Sequence, residues 1–105
     1  MPQLHKDFDG QTVITTFETS PATAFDLIEA LESVYAEVIS KQPGFIGAAL
    51  HMNDARTRIC AYSQWVHRTD YQAMLRSAAM RERNRHIHTL CKAFEPVMYE
   101  ITAVF

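Results

Sequence analysis

The sequence predicts one α+β domain, in which a four-stranded antiparallel sheet carries helices on one face. Segments rich in β-branched and aromatic residues alternate with amphipathic helical segments along the chain. Their order is strand, helix, strand, strand, helix, strand, which is the split βαβ, or ferredoxin-like (βαββαβ), arrangement. The length of 105 residues suits one hydrophobic core, so residues 1–105 are expected to form a single domain.

The first part of the chain predicts a strand followed by a long helix. Residues 1–9 are polar and are expected to be loose, whereas Gln11–Glu18 is rich in Val, Ile, Thr and Phe, as strands are. Ser20 precedes a proline, so the first helix is expected to begin there with Ser20 as its N-cap, and to end before Pro43. Its predicted buried stripe repeats at helical spacing and comprises Phe25, Leu27, Ile28, Leu31, Val34, Tyr35 and Val38.

A hairpin is predicted in the middle of the chain. Phe45–Met52 and Thr57–Val66 are its strands, and a polar turn joins them. The side chains of the first of these strands are expected to alternate, with Phe45, Gly47, Ala49 and His51 on one face and Ile46, Ala48, Leu50 and Met52 on the other. Because neither face is clearly polar, we expect helices to cover one face and a second copy of the chain to cover the other, in a twofold homodimer.

The last part of the chain predicts a helical region and a final strand. Thr69–Ala79 is expected to be a helix capped by its first residue, with Gln72 reaching back to complete a capping box. Arg81–Cys91 either continues that helix or forms a short third one, and Pro96 then ends the helical pattern. Val97–Phe105 predicts the final strand.

Composition and charge narrow the class of function. Lys and Arg number 10 against 12 Asp and Glu, so the balance indicates neither nucleic acid nor an anionic membrane as a partner. No apolar run is long enough to span a bilayer, and the N-terminus lacks the apolar core of a secretory signal. Cys60 and Cys91 lie far apart without a CxxC pattern, which favours reduced thiols in a cytoplasmic protein.

The residues alone give no complete catalytic motif. His88 and Cys91 share a helical face but supply only two ligands for a metal, and the chain has no glycine-rich phosphate loop and no GxSxG elbow. His51 follows Gly47 and Ala49 on its strand face, and small neighbours leave room for a ligand. A histidine that ends a strand near the surface is, however, the commoner case.

Three aromatic residues and one arginine are further candidates. Trp65 is the only tryptophan and lies at a strand-to-helix corner, where it either walls a pocket or fills the core. Tyr62 and Tyr71 suit core positions with a hydrated hydroxyl, and Arg85 alone suits a solvated helix face.

These residues together resemble a known family. The matching positions are Pro43-Gly44-Phe45, His51, Tyr62-Ser63-Gln64-Trp65, Tyr71 and Arg85. From about Val13 to Ile101 the chain is similar to the antibiotic biosynthesis monooxygenase family, and more narrowly to the cofactor-free anthrone oxygenases of aromatic polyketide pathways. The resemblance implies a dimeric α/β barrel and a monooxygenase without metal, flavin or haem. Its substrates would be an anthrone- or quinol-like aromatic compound and O2, and its product a quinone.

The resemblance also implies roles for individual residues. Trp65 would hold the flat rings of the substrate, Tyr71 and Arg85 would hydrogen-bond its oxygens, and His51 would transfer protons. These four are the expected catalytic residues. The expected substrate-binding residues are Phe45, Ala61, Tyr62 and Gln64.

One position departs from the family pattern. Anthrone oxygenases of this type carry an asparagine four residues before the tryptophan, where this chain has Ala61. Either Gln64 or Ser63 supplies the missing hydrogen bond, or the reaction differs, or the chain only binds a ligand. A polyketide cyclase or isomerase on the same barrel is a further alternative. Haem-degrading members of the wider family bind iron through a histidine about ten residues after the tryptophan. That region of this chain is Met74-Leu75-Arg76, so the resemblance disfavours haem cleavage.

Overall fold

The computed structural model describes residues 2–5 and 7–105 and has the ferredoxin-like order of elements that the sequence predicts. The elements are β1 (Gln11–Glu18), α1 (Ala24–Glu37), a 3-10 turn (Ile39–Lys41), β2 (Phe45–Met52), β3 (Arg58–Trp65), α2 (Arg68–Arg76), α3 (Ala78–His88) and β4 (Ala93–Tyr99). The sheet is antiparallel with strand order β2-β3-β1-β4. No helix in the described part of the chain is long and apolar enough to cross a membrane.

The helices cover one side of the sheet, which we call the helix face, and the opposite side is the outer face. Val13 and Phe17 of β1 and Ile59 and Trp65 of β3 point into the helix face and are buried against the helices. The predicted bounds of β1 and β2 are confirmed, and β3 is one residue shorter at each end than predicted. Over residues 2–5 and 7–9 the N-terminal segment has neither helix nor strand; Met1 and Lys6 lie outside the described residues.

The first helix begins later than predicted. Ser20 is not the N-cap, because its backbone oxygen accepts bonds from the N–H groups of Thr23 (3.0 Å) and Ala24 (2.9 Å) in a turn that precedes the helix. The prediction that Phe25 belongs to the buried stripe is also wrong. Its ring is 58% exposed and lies 4.4 Å below the guanidinium of Arg56, so a cation–π contact replaces burial.

The second helical region is two helices, and its start also differs from the prediction. α2 begins at Arg68, so Thr69 is not the cap; instead the backbone N–H of His67 donates to the carboxylate of Asp70 at 3.2 Å. α2 ends at Arg76. Ser77 then starts α3, because its hydroxyl accepts the N–H of Met80 at 3.2 Å.

The final strand lies earlier than predicted. β4 spans Ala93–Tyr99 and contains Pro96, whereas residues 100–105 have no strand. Pro96 is tolerated because β4 pairs only with β1 and is an edge of the sheet, where a missing N–H breaks no ladder on the open side.

A β-bulge at Ile46 changes the predicted faces of β2. Phe45 pairs with Trp65 and Gly47 pairs with Gln64, so one extra residue lies between consecutive pairs. Phe45 therefore lies on the helix face together with Leu50 and Met52, and the prediction that it shares a face with Gly47 and His51 is wrong.

A tight approach at Gly44 joins β2 to the start of α2. Gly44 has φ +83°, and a Cβ there would collide with the side chain of Asp70. Its carbonyl oxygen accepts the N–H of Val66 at 2.7 Å. These contacts fix the connection between β3, which ends at Trp65, and α2, which contains Tyr71.

Candidate active site

A cavity of about 310 Å³ lies between the helix face of the sheet and the three helices. Its walls are mainly apolar and include Phe17, Leu31, Val34, Met74, Met80 and Ile87. Its volume falls at the lower end of the range usual for small-molecule sites, roughly 300–1,000 Å³. Among its other lining residues, His88 and Phe94 are exposed, so the cavity opens to solvent between α3 and β4.

Five polar side chains interrupt the apolar wall. They come from different elements and are Thr15 of β1, Tyr35 of α1, Tyr71 of α2, and Asn84 and His88 of α3. The His88 ring lies 4.6 Å from the ring of Phe94, centre to centre, which holds the imidazole beside the opening. A few convergent polar groups in an apolar cavity are typical of a site that orients one ligand.

Trp65 lies behind this wall rather than in it. Its side chain is fully buried. Its ring makes T-shaped contacts with the rings of Phe45 and Tyr71, with distances between ring centres of 5.4 Å and 5.9 Å. The indole N–H donates to the Ser63 hydroxyl at 3.2 Å. Trp65 therefore positions Tyr71 and Ser63, and Tyr71 presents its own surface to the cavity.

Two tyrosine side chains of the cavity lie beside hydroxyl groups of the sheet. Ser63 of β3 lies near Tyr35, and Thr15 of β1 lies near Tyr71. Burial is the main cause that raises the pKa of the Tyr35 phenol above its usual range, and repulsion by Tyr71 adds to it, while the nearby Ser63 hydroxyl opposes the rise. Burial likewise raises the pKa of Tyr71, and the nearby Thr15 hydroxyl opposes the rise. Both phenols are therefore protonated hydrogen-bond donors at neutral pH.

The predicted site residues on the helix face lie in or behind the cavity wall. Tyr71 lines the cavity, whereas Phe45 and Trp65 pack behind it. Ala61 is buried on the helix face, opposite Thr15 of β1 and Leu50 of β2. Its methyl group offers no hydrogen bond, so the nearest hydroxyl on the same face of β3 belongs to Ser63.

The other predicted site residues lie away from the cavity. His51, Tyr62 and Gln64 lie on the outer face. Gln64 is fully buried there, because its amide donates to the carbonyl of Gln3 at 2.7 Å and accepts the Gln3 N–H. The structure does not bring these three side chains together with Tyr71, and their catalytic or binding roles stay predictions.

Arg85 is exposed on α3. It pairs with Glu82 at 2.8 Å and borders an open groove that also includes Asn84 and His88. An exposed pair of this kind contributes little to stability. Arg85 therefore lies near the opening of the cavity but not on its wall, and its role in catalysis stays a prediction.

Sequence reasoning missed Tyr35, Thr15, Asn84 and His88 as cavity residues. The helical pattern predicts Tyr35 only as part of the buried stripe of α1, and its one distinguishing signal is a hydroxyl among aliphatic side chains. The spacing of His88 suggests only a metal ligand beside Cys91. In the described part of the chain no three His, Cys, Asp or Glu side chains gather as a metal site would require.

A second groove, of about 420 Å³, lies on the surface between α1 and α3. Its polar groups join α3 to α1, since Arg83 donates to Glu37 (2.7 Å) and to Ser33 (3.2 Å). The apolar cavity is the better candidate, because its walls are mainly apolar and five polar side chains from different elements converge on it.

The two buried phenols predict a loss of stability at alkaline pH. The unfolded chain releases tyrosine protons above about pH 10, whereas folded Tyr35 and Tyr71 keep theirs because their pKa values are raised. Their stabilising contribution to the free energy of unfolding is fully present below about pH 10 and is lost as the pH rises further. Between about pH 10 and its raised folded pKa, a phenol adds at most about 1.4 kcal/mol per pH unit to the downward slope of the unfolding free energy. Tyr35, whose pKa shift is large, is expected to contribute the greater share of the slope. Urea unfolding from about pH 8 to about pH 11 measures this slope.

The matched variants are Tyr35→Phe and Tyr71→Phe. Each substitution is expected to make the alkaline decrease of the unfolding free energy less steep, because one titrating phenol is removed. Below about pH 9 the difference in unfolding free energy between variant and wild type should not change with pH. A variant slope equal to that of wild type would show that the phenol in question ionises equally in both states.

Comparison with known proteins agrees with this architecture. A model of the Antibiotic biosynthesis monooxygenase family matches residues 11–85. The tetracenomycin-F1 monooxygenase of Streptomyces glaucescens is 23% identical over 94 residues, which are 90% of this chain and 83% of that protein.

Two solved structures share the fold over nearly the whole chain. A monooxygenase from the gene ActVA-Orf6 of Streptomyces coelicolor, in complex with nanaomycin D, is 27% identical with a TM-score of 0.74, over 91% of this chain and 90% of that one. An asparagine-to-alanine variant of SnoaB, a cofactor-independent oxygenase from Streptomyces nogalater, is 18% identical with a TM-score of 0.79, over 91% and 96%. Since the family model spans most of the chain, this protein belongs to the antibiotic biosynthesis monooxygenase family.

Proposed function

We propose that this protein is a cofactor-independent monooxygenase that oxidises a polycyclic, anthrone- or quinol-like substrate with O2 to a quinone. The observation that carries the proposal is the apolar cavity with two protonated phenols, Tyr35 and Tyr71, in a chain of this family. The named relatives support the reaction type, since one is a monooxygenase bound to nanaomycin D and another is a cofactor-independent oxygenase.

The substrate itself supplies the electrons in this reaction. An anthrone has an acidic methylene group, and loss of one proton gives an electron-rich enolate. The enolate carbon forms a bond to O2, and protonation gives a hydroperoxide at that carbon. Loss of water breaks the O–O bond and converts the carbon to a carbonyl. One oxygen atom enters the quinone and the other leaves as water, so no further reductant is needed.

The cavity residues have distinct roles in this proposal. The apolar walls hold the rings and exclude water, which strengthens each hydrogen bond to the enolate oxygen. Tyr71 donates such a bond and is the proposed catalytic residue that the sequence also predicted. His88 rather than His51 lines the cavity, so we assign the proton transfers to His88.

Oxygen uptake with a model anthrone, without added cofactor, tests this function. Wild type should consume O2 faster than the spontaneous reaction, and Tyr71→Phe should lower kcat/KM by about tenfold or more, because a charged enolate loses one donor. Tyr99→Phe removes a hydroxyl from the half-exposed end of β4 and is the matched control, with no expected change.

Three outcomes contradict the proposal. Uptake at the spontaneous rate together with tight ligand binding would indicate a binding module, for which Ala61 is the favouring feature. Conversion that persists without oxygen would indicate a cyclase or isomerase. Full activity in Tyr71→Phe would remove the assigned catalytic role of Tyr71.

We also propose that two copies pair through their outer faces. Ile14, Ala49, Tyr62 and Val97 lie there only half-buried, and an apolar sheet face of this kind is typically covered in the functional protein. Light scattering should give twice the chain mass of 12.0 kDa, and Val97→Glu should shift the mass toward one chain. A single-chain mass for wild type at micromolar concentration would contradict the pairing.

A further inference from the structure

A groove of about 440 Å³ on the surface of α3 adjoins the cavity. Four side chains of this helix line the groove, namely Arg81, Asn84, Arg85 and His88, and we call them the α3 rim. They recur at a spacing of three or four residues, so they share one face of the helix. Asn84 and His88 line the cavity as well, which places the groove at the cavity opening.

The α3 rim carries positive charge without an acidic side chain among its members. In the described part of the chain Arg81 forms no ion pair, whereas Arg83, which does not line the groove, is paired with Glu37 at 2.7 Å. Arg85 pairs with Glu82, but both side chains of that pair are exposed to water, and exposed pairs gain little energy. Both arginines of the rim are therefore available to an incoming anion.

The helix itself does not favour a cation at Arg81. Arg81 lies in the first turn of α3, where the partial positive charge of the helix N-terminus disfavours a cation, and this turn contains no acidic residue. Arg81 and Arg85 are also four residues apart, and like charges at this spacing repel each other. An anion bound in the groove offsets both effects.

The cavity interior differs from the α3 rim in charge. The described lining residues of the cavity include no Asp, Glu, Lys or Arg, and the walls are mainly apolar. Uncharged rings suit this interior, whereas a charged group would lose its water there without gaining a counter-charge. A ligand with both parts is therefore best placed with its rings inside the cavity and its charge in the groove.

We propose that the α3 rim binds an anionic substituent, such as a carboxylate, of an aromatic ligand whose uncharged rings occupy the cavity, and that Arg81 is the principal cation of this subsite. The planar guanidinium group matches the two oxygens of a carboxylate. The inference rests on the proposed function for the aromatic part of the ligand. The oxidation itself needs no acidic substituent, so the rim adds a substrate class, the polycyclic aromatic acids, to that function.

A matched pair of ligands tests the inference without turnover. Anthraquinone-2-carboxylate and anthraquinone-2-carboxamide have the same rings and nearly the same shape, and only the carboxylate is charged at about pH 7.5. Titration calorimetry at low ionic strength should show that wild type binds the carboxylate more tightly. Arg81→Gln should weaken binding of the carboxylate by about three- to tenfold and that of the carboxamide by less than about twofold, because the charge contact is lost and the ring contacts remain.

Three controls separate a local contact from a general effect of charge. Arg68→Gln removes the same charge from the start of α2, where Arg68 donates to Gln11 at 3.1 Å and lines neither the cavity nor the groove. It should change the carboxylate affinity by less than about twofold. Arg81→Lys keeps the charge and should keep most of the preference for the carboxylate. Raising the salt concentration from about 20 mM to about 500 mM should reduce that preference more in wild type than in Arg81→Gln.

Two results would overturn the inference. One is equal affinity of wild type for the carboxylate and the carboxamide at low ionic strength. The other is the same carboxylate affinity in Arg81→Gln as in wild type.

The outcomes also distinguish this inference from the proposed function. An Arg81-dependent preference for the carboxylate, without accelerated oxygen uptake from the model anthrone, would uphold the subsite and contradict the oxygenase. Accelerated uptake with no preference for the carboxylate would do the reverse. Failure of both ligands to bind would contradict the assignment of the cavity, on which both proposals rest.

Discussion

The cavity depends on the burial of Trp65 at the corner between β3 and α2. The indole is fully buried, with Phe45 on one side and Tyr71 on the other, and its N–H is bound by Ser63. A buried indole N–H without a partner costs about 1–3 kcal/mol, so the Ser63 hydroxyl is constrained to accept this bond. The contact between the two rings also orients Tyr71, which lines the cavity. One apolar side chain thereby sets the position of a polar group in the cavity wall.

The sequence predicted the order of elements and the bounds of β1 and β2, because their apolar periodicity is clear and the sheet confirms it. The predictions were wrong where pairing between strands, rather than the local residue pattern, determined the structure. The sequence predicts that the final strand begins after Pro96, but an edge strand tolerates proline on its open side. The bulge at Ile46 reversed the face of Phe45, and no residue type at that position signals an extra residue.

The candidate site was less predictable than the fold. Tyr71 was identified through family resemblance, and the structure places it in the cavity wall. Tyr35 was predicted only as one of several residues in an apolar stripe. Whether such a residue touches a neighbour or an empty volume depends on side chains from three other elements, and periodicity within one helix carries no information on that. His51 and Arg85 lie outside the cavity, on the outer face and on the exposed side of α3.

The most direct test of this account is a crystal structure of the protein with anthraquinone, the expected product of the model anthrone, bound. The account predicts that the rings lie between the helix face and α1–α3, with a ligand oxygen about 2.6–3.2 Å from the hydroxyl of Tyr71. A ligand seated on the outer face beside His51, or in the open groove beside Arg85, would contradict the assignment of the cavity as the active site.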